Sequence, residues 1–140
     1  MHARNKLLIE ESLDYIKRFI GIKYLWGGNN PIEGFDCSGL ALEYLRSLGI
    51  DLKDMTAQEI YNYYQLNGHI SGLKKGSLLF FGKDRDNITH IAIALNGLQM
   101  IESGGGNRRT TTTLKAIEQN AFVRVRKIRK DILSAIFPLH

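Results

Sequence analysis

The chain has 140 residues, 44% apolar and 24% charged, which is the make-up of one globular domain with enough material for a hydrophobic core. A single cysteine excludes an intramolecular disulfide and the usual cysteine-based zinc sites, so its thiol is free in any compartment. The formal charge of +5 favours anionic partners such as nucleic acid, lipid headgroups or bacterial cell wall, and no stretch approaches the roughly 18 apolar residues of a membrane span.

In chain order, the apolar run Leu7 to Ile9 is far short of the roughly 7–15 residues that a secretory signal needs, so the expectation is synthesis in the cytoplasm without a signal peptide. Leu7, Leu8, Leu13, Ile16, Phe19 and Ile20 approximate helical spacing and predict a helix over 5–20, ended by Gly21. KYLWGGNNPIEGF follows and reads as a loop. CSGLALEYLRSLGI places Leu40, Ala41, Tyr44, Leu45 and Leu48 on one face. It predicts a helix over 37–48, with Asp36 as N-cap and Gly49 closing it. Thr56 with Glu59 three residues on forms a capping-box pattern for a third helix ending before Gly68. The tyrosines of YNYY then fit helix packing.

The texture changes after that. SLLFFG, HIAIALNG, LQMIESG and FVRVRKI are short apolar or alternating runs bounded by turn residues, and predict four strands of a mostly antiparallel sheet. Asn96-Gly97 predicts a two-residue hairpin between the second and third. DILSAIFPL reads as a short final helix. Helices first and strands afterwards make an α+β domain spanning residues 1–140. The basic run Arg124 to Lys130 alternates like a solvated strand face, with a dedicated binding patch as the other reading.

Cys37 falls at the first turn of the second helix, where free amides and the helix dipole favour a thiolate. A buried structural cysteine fits mid-helix better. Of the four histidines, His2 and His140 are terminal and His69 sits in a loop-like NGHISG. His90 opens a strand, where it either faces a cleft as a base or caps the sheet as a half-buried polar residue. A third group usually orients such an imidazole. With a two-residue Asn96-Gly97 turn, His90 faces Ser103 and Glu102 is adjacent in register; a bulge or longer turn brings Glu102 opposite His90.

KYLWGGNNPIEGFDCSGL, KKGSLLFFG and THIAIALNGLQMIESGGG together resemble the NlpC-type family of cell-wall cysteine peptidases. Tyr24, Gly27, Gly28, Asp36, Cys37, Ser38, Gly39, Gly76 and His90 match that pattern in order and spacing. The resemblance implies a papain-like fold and hydrolysis of amide bonds in peptidoglycan stem peptides, without a cofactor or metal. It implies Cys37 as nucleophile, His90 as general base and Tyr24 beside the thiolate, helping to hold the reacting carbonyl. It further implies Asp36 and Ser38 as cleft-lining substrate contacts, Asp36 through a free amine. Two positions depart from the pattern. Glu102 stands where the family commonly has His, Asn or Gln, and Gly76-Ser77 stands where a strand usually opens with Gly-Asp. A carboxylate at 102 can still accept from the imidazole N–H and raise its pKa. Trp26 reads equally as a substrate-stacking aromatic or as a core anchor under its loop. SGGGNRRTTTT lacks a P-loop signature and reads as a cleft-side loop, with Arg108 and Arg109 placed to meet wall carboxylates.

Expected partners are therefore the peptidoglycan stem peptide and, if the protein is phage or prophage encoded, tail proteins; neither nucleic acid nor membrane insertion is expected. A phage lytic or virion-associated enzyme, or a cytosolic enzyme trimming recycled wall peptides, fits a chain with no signal. The alternatives are a wall amidase or acyltransferase using the same Cys–His site, and an inactive wall-binding or tail-assembly relative.

Overall fold

The computed structural model describes residues 3–25, 27–30, 34–67, 72–104 and 121–140. In chain order the elements are α1 (Ala3–Lys17), β1 (Asn29–Asn30), β2 (Gly34–Phe35), α2 (Cys37–Ser47), α3 (Ala57–Leu66), β3 (Leu78–Gly82), β4 (Ile88–Ala94), β5 (Gln99–Gly104), β6 (Phe122–Lys127) and β7 (Ser134–Ile136). The last five form one antiparallel sheet in the order β6-β5-β4-β3-β7.

Each helix forms where its caps and apolar stripe predict. Leu13 and Ile16 of α1, Leu40 and Leu45 of α2, and Ile60 and Tyr64 of α3 are buried in one cluster with Ile91, Ile93, Ile101 and Val123 of the sheet. Each such aliphatic side chain contributes about 1.5–3 kcal/mol of burial. Tyr61 and Tyr64 are packed as the YNYY spacing predicts, and Tyr44 donates its hydroxyl to the Gly76 carbonyl at 2.7 Å. The capping box of α3 is complete. Thr56 Oγ1 accepts from the Glu59 amide at 3.2 Å, and Glu59 Oε1 accepts from the Thr56 amide at 3.1 Å. The helix α1 stops at Lys17, three residues before the predicted end, and turns through Gly21 at φ +95°.

Three expectations are corrected. DILSAIFPL holds β7 instead of a helix, with Ile136 buried opposite Leu78 of β3. The β3 segment LLFFG is buried on both faces and would otherwise leave an unpaired edge; pairing satisfies its backbone at the cost of a weak helical preference already limited by Pro138. The loop after α1 contains the small β1–β2 hairpin, with Asn29 opposite Phe35 and Tyr24 bridging Phe35 in parallel. Finally, the β4–β5 turn has three residues, not two. Leu95 donates to Gln99 O at 2.9 Å, and Asn96 Oδ1 accepts from the amides of Leu98 and Gln99. Ile93 is consequently opposite Ile101 and Ala94 opposite Met100. Burial chooses this register, because it gathers Ile91, Ile93, Ile101 and Ser103 on the helix side.

Ser77 has a structural job before β3. Its hydroxyl donates to Gly72 O at 2.7 Å and accepts from the Lys74 amide at 3.2 Å, which closes the turn where the resembling family has Asp. Among the described residues, no helix is long and apolar enough to cross a membrane.

Candidate active site

Cys37 is the first residue of α2 and is partly exposed. Asp36 caps the helix from an extended conformation, with ψ −178°. Its Oδ1 accepts from the Gly39 amide at 2.6 Å and from the Ser38 hydroxyl at 3.0 Å; its Oδ2 accepts from the Gly27 amide at 3.0 Å. Because the cap takes the third amide of the helix, the amide of Cys37 keeps no acceptor within the helix. Gly39 is required by close approach: a Cβ there would land on the Gly28 carbonyl oxygen. The loop and the helix start are thus clamped together around the thiol.

The His90 side arises from β4. Thr89 is an extra residue in the β3–β4 ladder, since Phe81 pairs with His90 and Gly82 with Ile88. This bulge turns Ile88 into the core and brings the Thr89 carbonyl to 4.0 Å from Cys37 Sγ. His90 Nε2 is 2.7 Å from Oε1 of Glu102, a carboxylate only 2% exposed, while the His90 side chain is 19% exposed. The thiol of Cys37 is close enough to the His90 side chain to raise its pKa. With Nε2 on Glu102, Nδ1 is the nitrogen that remains for sulfur.

The electrostatics follow from these contacts. Burial pulls the His90 pKa down, but hydrogen bonds and charge from Cys37 and Glu102 outweigh it and push it up to about 9. Burial raises Glu102, yet the His90 hydrogen bond and the charges of His90, Arg124 and Arg126 bring it down to about 2. The phenol of Tyr24 is pushed well up, first by burial and then by the nearby Cys37 and Asp36, so it remains a proton donor. Burial also raises Asp36, against the three hydrogen bonds that favour its ionised form.

Of the expected site residues, Cys37, His90, Glu102, Tyr24, Asp36 and Ser38 are brought together. Asp36 and Ser38 line a groove of about 290 Å³ beside Cys37, together with Gly27, Asp54, Met55 and Glu59. Asp36 does more than line it, since both its oxygens are engaged within the fold. The longer turn puts Glu102 on the face of His90 but not opposite it, as neither expected register had it: continuing the Ile93–Ile101 and Ala94–Met100 pairing sets Gly104 across from His90 and Glu102 one step along, across from Ala92. Trp26, His69, Arg108 and Arg109 lie outside the described residues. The basic strand supplies what sequence reasoning missed. Arg124 Nε donates to Glu102 Oε2 at 3.2 Å, and Arg126 Nη1 is 3.5 Å from the same oxygen. Their alternation with Val123 and Val125 placed both arginines on one face, but nothing local named the strand beside them. Among the described residues, no cluster of His, Cys, Asp or Glu could hold a metal ion.

Helices packed on one face of an antiparallel sheet, with one helix starting at a cysteine beside a histidine strand, make the papain-like α+β arrangement. The chain belongs to the NlpC/P60 family, which matches residues 21–127. The Escherichia coli (strain K12) protein named "Probable endopeptidase YafL" is 30% identical over 131 residues, covering 91% of this chain and 52% of its own length. Peptidoglycan endopeptidase RipA from Mycobacterium tuberculosis is 32% identical over 98 residues, covering 60% of this chain and 20% of its own length. This chain therefore spans about half of YafL and a fifth of RipA. The solved P60 domain of an antigen from Mycobacterium avium subspecies paratuberculosis has the same fold, with a TM-score of 0.70 at 21% identity over 96% of each chain. Structures of the resuscitation promoting factor interacting protein RipA, mutated at a cysteine, a histidine and a glutamate, have TM-scores of 0.69, 0.68 and 0.70 at 21–22% identity. They cover 94–95% of this chain and 62% of theirs.

Proposed function

We propose that this chain is a cysteine endopeptidase that hydrolyses amide bonds in peptidoglycan stem peptides, with Cys37 as nucleophile, His90 as general base and acid, and Glu102 as the group that orients His90. The observation that carries the reading is the His90 imidazole held between the only thiol of the chain and a buried carboxylate. Relatives named as endopeptidases support it. So does RipA, whose mutated glutamate follows its mutated histidine by twelve residues, the separation of Glu102 from His90.

In the proposed reaction the proton of Cys37 passes to His90, and the sulfur forms a bond to the carbonyl carbon. The carbonyl electrons collect on oxygen, to which the Cys37 amide and the Tyr24 hydroxyl would donate. The C–N bond then breaks, and the amine leaves with the proton from the imidazolium. A water gives a proton to His90, attacks the thioester and releases the acid, and the thiol is restored. The groove lined by Asp36 and Ser38 would take the neighbouring part of the peptide.

The test is digestion of purified peptidoglycan by wild type and by Cys37→Ala, with mass spectrometry of the products. New amine and carboxylate ends within stem peptides, made by wild type only, support the reading. Release of whole peptides from the sugar would mean a wall amidase, and joining to an added amine an acyltransferase. Equal products from both proteins would remove the mechanism. A phage or prophage source with tail partners extends the proposal, and detection of the protein in purified virions tests it.

A further inference from the structure

The strand side of the site carries two charges that the proposed chemistry does not use. In the β5–β6 register Arg124 is directly opposite Glu102, and Arg126 is opposite Met100 one step further along the same face. Val123 and Val125 point the other way, into the core cluster. Glu102 thus divides its two oxygens: Oε1 is 2.7 Å from His90 Nε2, while Oε2 faces Arg124 Nε at 3.2 Å and Arg126 Nη1 at 3.5 Å. At 2% exposure the carboxylate has almost no water to share its charge with, so these three partners solvate it. The arginine side chains are 29% and 41% exposed, so substituting them opens no cavity in the main core.

The charged and titratable groups around His90 come from three elements. Cys37 belongs to α2, with Tyr24 and Asp36 near it; Glu102 belongs to β5; Arg124 and Arg126 reach Glu102 from β6. From β3 the uncharged Phe81 ring packs 5.7 Å from the imidazole, and Arg129 lies 4.7 Å over that Phe81 ring. Removing positive charge behind Glu102 therefore has one electrostatic sign at His90: the carboxylate's charge is left to the imidazole alone.

Resting on the reading of His90 as the base of the site, we propose that Arg124 and Arg126 are positioning residues that act through Glu102. They pin its second oxygen, which fixes the first on the imidazole, and they draw off part of its charge, which tempers the hold of the ring on its proton. The imidazolium must give that proton to the leaving amine, so an unshared carboxylate behind it would slow the step. Each arginine reaches that one oxygen through a single nitrogen of a rigid, planar guanidinium, a shape that a flexible lysine ammonium does not reproduce.

The test is the titration of His90 by imidazole nitrogen NMR, alongside kcat and KM on peptidoglycan. In Arg124→Gln/Arg126→Gln the ring should keep its proton to higher pH by about half to one unit, and kcat should fall about tenfold with KM unchanged. In Arg124→Lys/Arg126→Lys, where charge stays and the planar guanidinium is lost, the titration should stay near the wild-type position while kcat still falls. A folded glutamine pair whose His90 titrates as in wild type, or at lower pH, overturns the proposal. If that pair fails to fold, Arg126→Gln alone carries the comparison, with a smaller upward shift expected and an unchanged titration overturning it. A wild type that cuts no wall peptide but shows the shift overturns the peptidase reading and leaves the role of the arginines standing.

Discussion

The two sides of the cleft are held by different kinds of contact. On the Cys37 side, the thiol is fixed by neighbours in the chain: Asp36 caps Gly39 and Ser38, and the same carboxylate ties down Gly27 nine residues back. On the His90 side, Glu102 is twelve residues away and Arg124 twenty-two further on, and they meet only through the register of three strands. Local contacts make the first side robust to the rest of the fold. Long-range register makes the second depend on all of it, and allows charge to be drawn from a strand that shares no local sequence with the site.

Breaking the chemistry on either side should have the largest effect. Cys37→Ala and His90→Ala should each lower turnover of peptidoglycan by at least about 10⁴-fold, as measured by product release. Their near-equal losses would show that the two sides act as one unit. Next comes Glu102→Gln, expected to lower kcat by about 10²-fold. Its alkaline limb of activity should move from near pH 9 toward the ordinary histidine value of 6.5, because the carboxylate helps to hold the proton on the ring. An unmoved limb would mean that the strand side does not tune the base.

Stability separates the sides further. Gly39→Ala pushes a Cβ onto the Gly28 carbonyl, backbone against backbone, and should cost about 2–3 kcal/mol in denaturant unfolding. Asp36→Ala removes the cap and should cost about 1–2 kcal/mol, with Asp36→Asn recovering part of it. The pH dependence of the melting temperature tests the strand side alone. Glu102, held at about 2 against 4.5 in the unfolded chain, contributes stability that is complete above pH 4.5 and lost as pH falls toward 2. His90, held at about 9 against 6.5, contributes stability that is complete below pH 6.5 and lost as pH rises through 9. Their pair should be fully stabilising between those limits, and Glu102→Gln should flatten both edges.

The difference between the sides also explains what was legible in the sequence. The N-cap at Asp36, the helix starting at Cys37 and the capping box at Thr56 are written within four residues of where they act, and all are found in place. The β4–β5 turn was not legible in that way. Asn96-Gly97 favours two residues, yet burial of Ile93 against Ile101 demands a third, and that one residue decides the face on which Glu102 stands. The final strand went unseen for a similar reason. A helical preference in DILSAIFPL is weak, whereas the open edge of β3 is a requirement that only the assembled sheet imposes.

By itself, then, the sequence determined the helix that presents the thiol, the strand that presents the imidazole and the α+β class to which both belong, since each follows from short-range periodicity and caps. Only the tertiary structure decided that Glu102 shares a face with His90, that Thr89 bulges toward Cys37 and that Arg124 and Arg126 close the set. Strand partners and register are chosen by which apolar side chains can be buried together, and that choice is made by the whole core at once.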